Sequence, residues 1–365
     1  MKILMVTRPV GEPWNEGGKN LAYNLAKNIK NNKIILLTKY KFNEKLPENI
    51  ISEKTFSSSN KRKISFFDKL RLFKRILKND DIDLYHIIFT PELYSSLILK
   101  NILKNKKSIQ TIPTLINHKR FIKKLIFANK VVVLSDYSKN FLSEKGFDNI
   151  IKINPGINPD FFKPIKKDKE LLSKLNLKDK FVVLNPCELE PKRGTKIFTR
   201  SILELSNIKD IFFIFSYRKD DNKKYLKEKK YIISILNKNN LSNFIFLEDF
   251  IDIRKLISIS DLVVYPVLNM KEKQEIPMIL LESLSMKKPI IITDILPLNE
   301  ILKSNCGRKI DKYDYKQLSK FILNLKEDSK MIKKMGDNGR NMVLNNFNIN
   351  KIAREYEKLY KSFDL

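Results

Sequence analysis

Three short stretches of this 365-residue chain combine residue types that can handle phosphate or sugar. Gly17-Gly18 follows the apolar run Lys2–Thr7. Two glycines let backbone N–H groups approach a bound anion or sugar at a helix N-terminus, although an isolated Gly-Gly is equally an ordinary tight turn. Arg193-Gly194 follows another apolar run, and an arginine so placed can hold a phosphate through two parallel hydrogen bonds. The third stretch is Gln274-Glu275-Ile276-Pro277-Met278-Ile279-Leu280-Leu281-Glu282. Pro277 suits a first helical turn, which would aim the backbone N–H groups around Met278 and Ile279 at an anion. The same stretch also reads as a core helix on Ile279, Leu280 and Leu284 that carries two solvated carboxylates.

Other chemistries are excluded. Only Cys187, Cys306, His86 and His118 represent their types, so neither a disulfide framework nor a Cys/His zinc cluster can form, and a reducing compartment is implied. Gly-x-Gly-x-x-Gly is missing, which leaves nicotinamide or flavin binding without support. No Asp-x-Asp pair ends a strand, and Asp220-Asp221 sits in a lysine-rich loop, so no metal site is implied. The first residues are too short an apolar run for a signal segment, and no run approaches the ~18 apolar residues of a spanning helix. A cytoplasmic protein is expected.

The elements that must position these residues alternate. Short β-branched runs recur near 2–7, 33–38, 82–89, 107–112, 129–134 and 150–154, then near 181–185, 211–216, 243–247, 261–265 and 289–293, with amphipathic stretches between them. That pattern predicts parallel sheets with crossover helices, in two doubly wound α/β domains. The densest cluster of turn formers, Pro155-Gly156-Ile157-Asn158-Pro159 through Pro164, marks the boundary. Domains are expected over 1–160 and 161–345. A last helical stretch over 346–365 is apolar at Ile352, Tyr356, Leu359, Tyr360 and Phe363.

Taken in order, these landmarks resemble the GT-B glycosyltransferases, specifically the retaining enzymes of family 4. The resemblance rests on Gly17-Gly18 after Glu16, on Asp83-Leu84-Tyr85-His86, and on Val132-Val133-Leu134-Ser135. It continues through Asn154-Pro155-Gly156-Ile157-Asn158 with Phe162, then Arg193-Gly194, then Gln274 to Glu282. It implies two Rossmann-like domains facing across a cleft, the first for the acceptor and the second for the donor, with a C-terminal helix crossing back to the first. It further implies transfer of a hexose-type sugar from a nucleoside-diphosphate sugar, without a metal or other cofactor. The acceptor would be lipid-linked or a glycan, in cell-surface polysaccharide or glycolipid synthesis.

Residue by residue, the resemblance places Arg193, Gly194 and Lys196 at the donor diphosphate, with Pro277, Met278 and Ile279 at the helix start. Glu282 falls where the family carboxylate accepts hydrogen bonds from ribose hydroxyls. The family's first carboxylate lies eight positions earlier, at Gln274; either Glu275 is presented to the sugar or Gln274 serves uncharged. Gly17, Gly18, His86 and Ser135 fall on the acceptor side of the cleft. Several positions depart from the pattern. Glu188 stands where an arginine is usual, and Lys192 or Lys196 would have to compensate. Gln110-Thr111-Ile112-Pro113 lacks the usual histidine, with His118 five residues on. Ser216-Tyr217-Arg218 replaces a Gly-x-Gly loop. A sugar-nucleotide epimerase of the same fold is the second enzyme reading.

The formal charge is +30, which implies attraction to polyanions. Residues 61–130 hold 17 Lys and Arg against 5 Asp and Glu. Lys61–Lys78 interleaves Phe66, Phe67, Leu70, Phe73, Ile76 and Leu77 with basic residues, and Lys119–Lys124 does the same around Phe121, Ile122, Leu125 and Phe127. Such helices either pack their apolar side on the sheet or lie on an anionic bilayer, which would make the protein peripheral at the inner membrane face. Charge-driven nucleic-acid binding lacks the aromatic and basic signatures of recognition modules, so no specific nucleic acid is expected.

Overall fold

The structure, a computed structural model, describes residues 1–12, 17–40, 42, 46–57, 64–78, 81–116, 119–218, 223–249 and 252–364. Glu16, Lys61–Lys63, His118 and Asp220-Asp221, singled out above, lie outside the described residues. The chain divides into two compact units. One comprises Met1–Asn158, Lys271–Met278 and Asn346–Leu365; the other comprises Pro159–Met270 and Ile279–Asn345.

The first unit is built on seven parallel strands: β1 (Lys2–Val10), β2 (Lys33–Thr38), β3 (Ile50–Lys54), β4 (Leu84–Ile88), β5 (Ser108–Ile112), β6 (Lys130–Val133) and β7 (Ile150–Lys152). Their order is β3-β2-β1-β4-β5-β6-β7, the two-way winding outward from β1 that crossover helices produce. The helices are α1 (Gly17–Asn28), α2 (Phe66–Leu77), α3 (Leu93–Ile102), α4 (Ile122–Leu125) and α5 (Asp136–Glu144). Successive strand residues point to opposite faces. Ile3 and Met5 therefore pack under α1, while Leu4 and Val6 pack under α2 and α3 with Leu72, Ile76 and Leu99. Burial on both faces explains the unbroken apolar runs that make these strands visible in the sequence.

The second unit has six parallel strands: β8 (Phe181–Asn185), β9 (Ile211–Tyr217), β10 (Phe244–Glu248), β11 (Leu262–Tyr265), β12 (Ile290–Thr293) and β13 (Gly307–Ile310). Their order is β10-β9-β8-β11-β12-β13. The helices are α6 (Lys169–Lys174), α7 (Thr195–Glu204), α8 (Lys223–Lys238), α9 (Ile253–Ile259), α10 (Met278–Ser285), α11 (Tyr315–Glu327) and α12 (Ser329–Asn346). Eleven of the thirteen strands among the described residues lie where the sequence predicts them. Edge strands β3 and β13 were not foreseen, because Ile50–Lys54 turns polar after two residues and Gly307-Arg308-Lys309-Ile310 is mostly polar. Polar, charged edges are how sheets avoid pairing with other chains.

The last helix, α13 (Ile349–Lys361), belongs to the first unit and buries Ile352, Ala353, Tyr356, Leu359 and Tyr360 against β1, β4 and α1. Its polar groups are matched as carefully as its apolar ones. The Glu357 carboxylate accepts the backbone N–H groups of Lys30 and Asn31, both at 2.8 Å. No helix among the described residues is long and apolar enough to cross a membrane.

Candidate functional site

In open parallel sheets, ligands sit beyond the carboxyl ends of the strands. In the first unit β6 ends at Ser135, the N-cap of α5, whose hydroxyl accepts the Ser138 N–H at 3.1 Å. The same Ser135 hydroxyl donates to Glu275 Oε2 at 2.6 Å, and the Ser138 hydroxyl donates to Glu275 Oε1. Glu275 is fully buried. Its N–H reaches the Pro113 carbonyl at 3.0 Å, and Gln274 forms an antiparallel bridge with Thr114. Lys271–Met278 is thus strapped across the ends of β5 and β6 by main-chain and carboxylate bonds together.

Gln274 is treated differently from its neighbour. Its amide oxygen and nitrogen are both buried and make no hydrogen bond among the described residues. A Cβ at Gly17 would overlap Gln274 Oε1, so the glycine at the start of α1 leaves the room that this side chain fills. Gly18 faces open space. The structure therefore brings Gly17, Ser135, Gln274 and Glu275 together, with Ser138 and Thr114 as members the sequence did not single out.

His86 does not join them. Its Nδ1 lies 2.9 Å from the Tyr360 hydroxyl and its Nε2 lies 2.8 Å from Thr111 Oγ1, which in turn is 3.2 Å from the Tyr356 hydroxyl. Both ring nitrogens are engaged, Nδ1 by Tyr360 on α13 and Nε2 by Thr111 on β5. Burial depresses the imidazole to about 3, so the ring is neutral across the physiological range.

In the second unit the chain leaves β8, makes a 3₁₀ turn over Pro191–Arg193, and enters α7 through Gly194. Gly194 has φ +77°, and a Cβ there would collide with the Pro266 carbonyl oxygen. Only glycine fits both the left-handed backbone and that approach. The turn aims Arg193 inward, where its side chain is 2% exposed. Arg193 Nη1 donates to the Asn269 carbonyl at 3.3 Å, and Nε lies 3.5 Å from Glu188 Oε2. The acid at the usual arginine position is therefore an ion-pair partner of Arg193. Of the lysines offered as compensation, Lys192 pairs with Glu190 at 3.0 Å, and Lys196 lies over the Tyr231 ring at 5.2 Å.

Helix α10 begins directly after Pro277, and its first N–H groups have no partner within the helix. Leu280, Leu281 and Leu284 enter the core. Glu282 keeps partial solvent contact, yet no hydrogen bond reaches its carboxylate among the described residues. Burial pushes its carboxyl up to about 7, against the opposing pull of the Arg218 charge. Arg218, exposed just past β9, was noted in the sequence only for the glycine loop it replaces. No sequence signal separates it from the many surface basic residues.

Two doubly wound parallel sheets of seven and six strands are the fold of the GT-B glycosyltransferases. Residues 167–342 match the family described as glycosyl transferases group 1, so the second half of the chain carries that family's signature. Solved structures of the same fold include Anabaena Alr3699/HepE in complex with UDP and glucose (TM-score 0.78, 15% identity, covering 99% of this chain and 100% of that one). They also include sucrose-phosphate synthase from Thermosynechococcus elongatus (TM-score 0.79, 16% identity, 99% and 98%). A third is WaaG, a glycosyltransferase involved in lipopolysaccharide biosynthesis (TM-score 0.70, 13% identity, 99% of each chain). No curated protein matches the chain in sequence.

Proposed function

We propose that the chain is a glycosyltransferase that moves a hexose-type sugar, with retention of anomeric configuration, from a nucleoside-diphosphate donor to a lipid-linked or glycan acceptor. The setting is cell-surface polysaccharide or glycolipid synthesis on the cytoplasmic side of the membrane. The observation that carries the reading is Glu282: a carboxylate lifted to about 7, inside the group 1 segment, with no protein hydrogen bond of its own. A carboxylate without protein donors is free to accept them from a ligand, and vicinal ribose hydroxyls supply two. Arg193 is assigned to the diphosphate, aided by the N–H groups at the start of α10. These fixed positive groups can stabilise a departing diphosphate without a bound metal. Of the two side chains left open by the sequence, Gln274 is assigned to sugar hydroxyls, because its amide lacks partners while Glu275 is held by two serines. The structure of HepE with UDP and that of WaaG support the nucleotide and the surface-glycan setting by analogy.

Calorimetry with a panel of nucleoside diphosphates tests the reading. Arg193→Ala should weaken the preferred nucleotide by about 2–4 kcal/mol, as expected for loss of a charged hydrogen-bond partner. Unchanged affinity, or no nucleotide binding by the wild type, would remove the donor site from the second unit.

A further inference from the structure

The helices on the α2 side of the first sheet bury only part of their apolar surface. From α2, Leu72 and Ile76 go inward to β1, β2 and β4. Phe66 and Phe67 stand 70% exposed, with Leu70 and Leu77 also outward. Phe66, Leu70, Lys74 and Leu77 recur at i, i+4, i+8 and i+11, which is one stripe of the helix. On α3, Tyr94 is 81% exposed and shares a stripe with exposed Leu97 and Ile98. The helices are neighbours: Lys69 on α2 reaches Glu92, the N-cap of α3, at 3.5 Å. Helix α4 packs on α3 in turn, behind exposed Phe121.

Charge on this face is one-sided. Residues 66–78, 92–106 and 120–125 contain two carboxylates, Asp68 and Glu92, paired with Arg71 and Lys69. Some of the basic residues serve the fold, such as Arg75, whose Nε lies 2.6 Å from Glu53, and Lys106, which donates to the Ile76 carbonyl at 3.2 Å. Lys74, Lys78, Lys100, Lys104, Lys123 and Lys124 are exposed around the apolar stripes.

We propose that this outward face of α2, α3 and the Lys119–Leu125 turn seats the first unit on an anionic phospholipid bilayer. Phe66, Phe67 and Tyr94 enter the interfacial region while the lysines meet lipid phosphates. Protruding aromatic and aliphatic side chains ringed by lysines suit an interface that is apolar within and negative at its surface. A second copy of the chain would set like charges against each other. A nucleic acid would gain from the aromatics but nothing from Leu70, Leu77, Leu97 and Ile98, which cannot stack on bases as aromatic rings do. The face shares no residue with the donor site, so the two assignments stand or fall separately.

The test is co-sedimentation of the full chain with phosphatidylcholine vesicles, with and without phosphatidylglycerol. Phosphatidylglycerol should raise the bound fraction at least about tenfold. Raising salt from about 0.1 M to about 1 M should reverse most of that gain. Phe66→Ser/Phe67→Ser should weaken partitioning about tenfold or more, and Lys74→Gln/Lys104→Gln by several-fold, with nucleotide affinity unchanged in both as the control for folding. Equal recovery of wild type and both variants, or indifference to phosphatidylglycerol, overturns the proposal. So does self-association, or capture by an acidic protein, that depends on Phe66 and Phe67 while vesicles are ignored.

Discussion

Glu275 and Glu282 stand seven positions apart in one apolar stretch, yet the two carboxylates lead opposite lives. Glu275 is fully buried and takes hydrogen bonds from Ser135 and Ser138 in the first unit. Glu282, in the second unit, keeps partial solvent contact, makes no such bond among the described residues, and is lifted to about 7 by burial. A buried carboxylate with protein donors holds a fold together; one that keeps solvent contact and has no protein donor is open to a ligand. Sequence spacing alone gives both the same chemistry.

Substitution should separate the two roles most sharply at Glu275. Glu275→Ala removes the shared acceptor of two buried hydroxyls and loosens the Lys271–Met278 strap. A loss of about 3 kcal/mol in stability by urea unfolding is expected, since each charged hydrogen bond contributes about 1.5–3 kcal/mol and the serines are left unmatched. A stable variant that binds nucleotide normally but turns over no sugar would instead make Glu275 the catalytic contact, and the comparison would fail.

Glu282→Gln should give the opposite result: near-native stability, and nucleotide affinity lower by about 1.5–2 kcal/mol from loss of a charged acceptor. Its pH dependence is a second test. The folded value of about 7 lies above the ordinary 4.5, so between those pH values the folded protein holds a proton that the unfolded chain has released. This group therefore subtracts stability as pH rises from 4.5 to about 7 and no more beyond. Nucleotide binding needs the ionised form and should weaken as pH falls through about 7, in wild type but not in Glu282→Gln. A wild-type affinity flat across that range would make Glu282 a structural acid.

How far the sequence could anticipate this differs between the units. The strands were legible because parallel strands buried on both faces are β-branched throughout, as in Ile290-Ile291-Ile292. The Arg193-Gly194 turn was legible because its conformation is local: a left-handed backbone at Gly194 and an arginine just before a helix. The choice between Gln274 and Glu275 was not legible. The partners that hold Glu275, namely Ser135, Ser138 and Pro113, all lie more than 130 positions earlier, as the 137-residue separation of Ser138 from Glu275 shows. His86 reads in sequence as an acceptor-side residue of the family, and only the return of Tyr360 on α13 and the placement of Thr111 on β5 show both its nitrogens engaged. Amphipathic patterning on α2 was visible, but not that Leu72 and Ile76 suffice to anchor the helix and leave Phe66 and Phe67 outside.

The smallest expected effect on stability falls at Gly17, where the comparison can be sharpened. Gly17 and Gly194 both open helices that follow a first strand of a sheet, and a Cβ on either would overlap a neighbour. At Gly194 the neighbour is the Pro266 backbone carbonyl and φ is +77°, so nothing can yield cheaply. At Gly17 the neighbour is the tip of the Gln274 side chain, and rotation about its torsions can clear the clash. Gly17→Ala should therefore change stability by less than about 1 kcal/mol, helped by the lower unfolded-chain entropy of alanine. It should nonetheless displace the one amide in the strap that has no protein partner. If Gln274 serves the transferred sugar, the variant will bind free nucleoside diphosphate like wild type while its sugar-transfer rate falls by about tenfold or more, as misplacement of a contacting group does. Unchanged turnover with Gly17→Ala would return Gln274 to the fold and leave Glu282 and Arg193 as the whole of the assigned site.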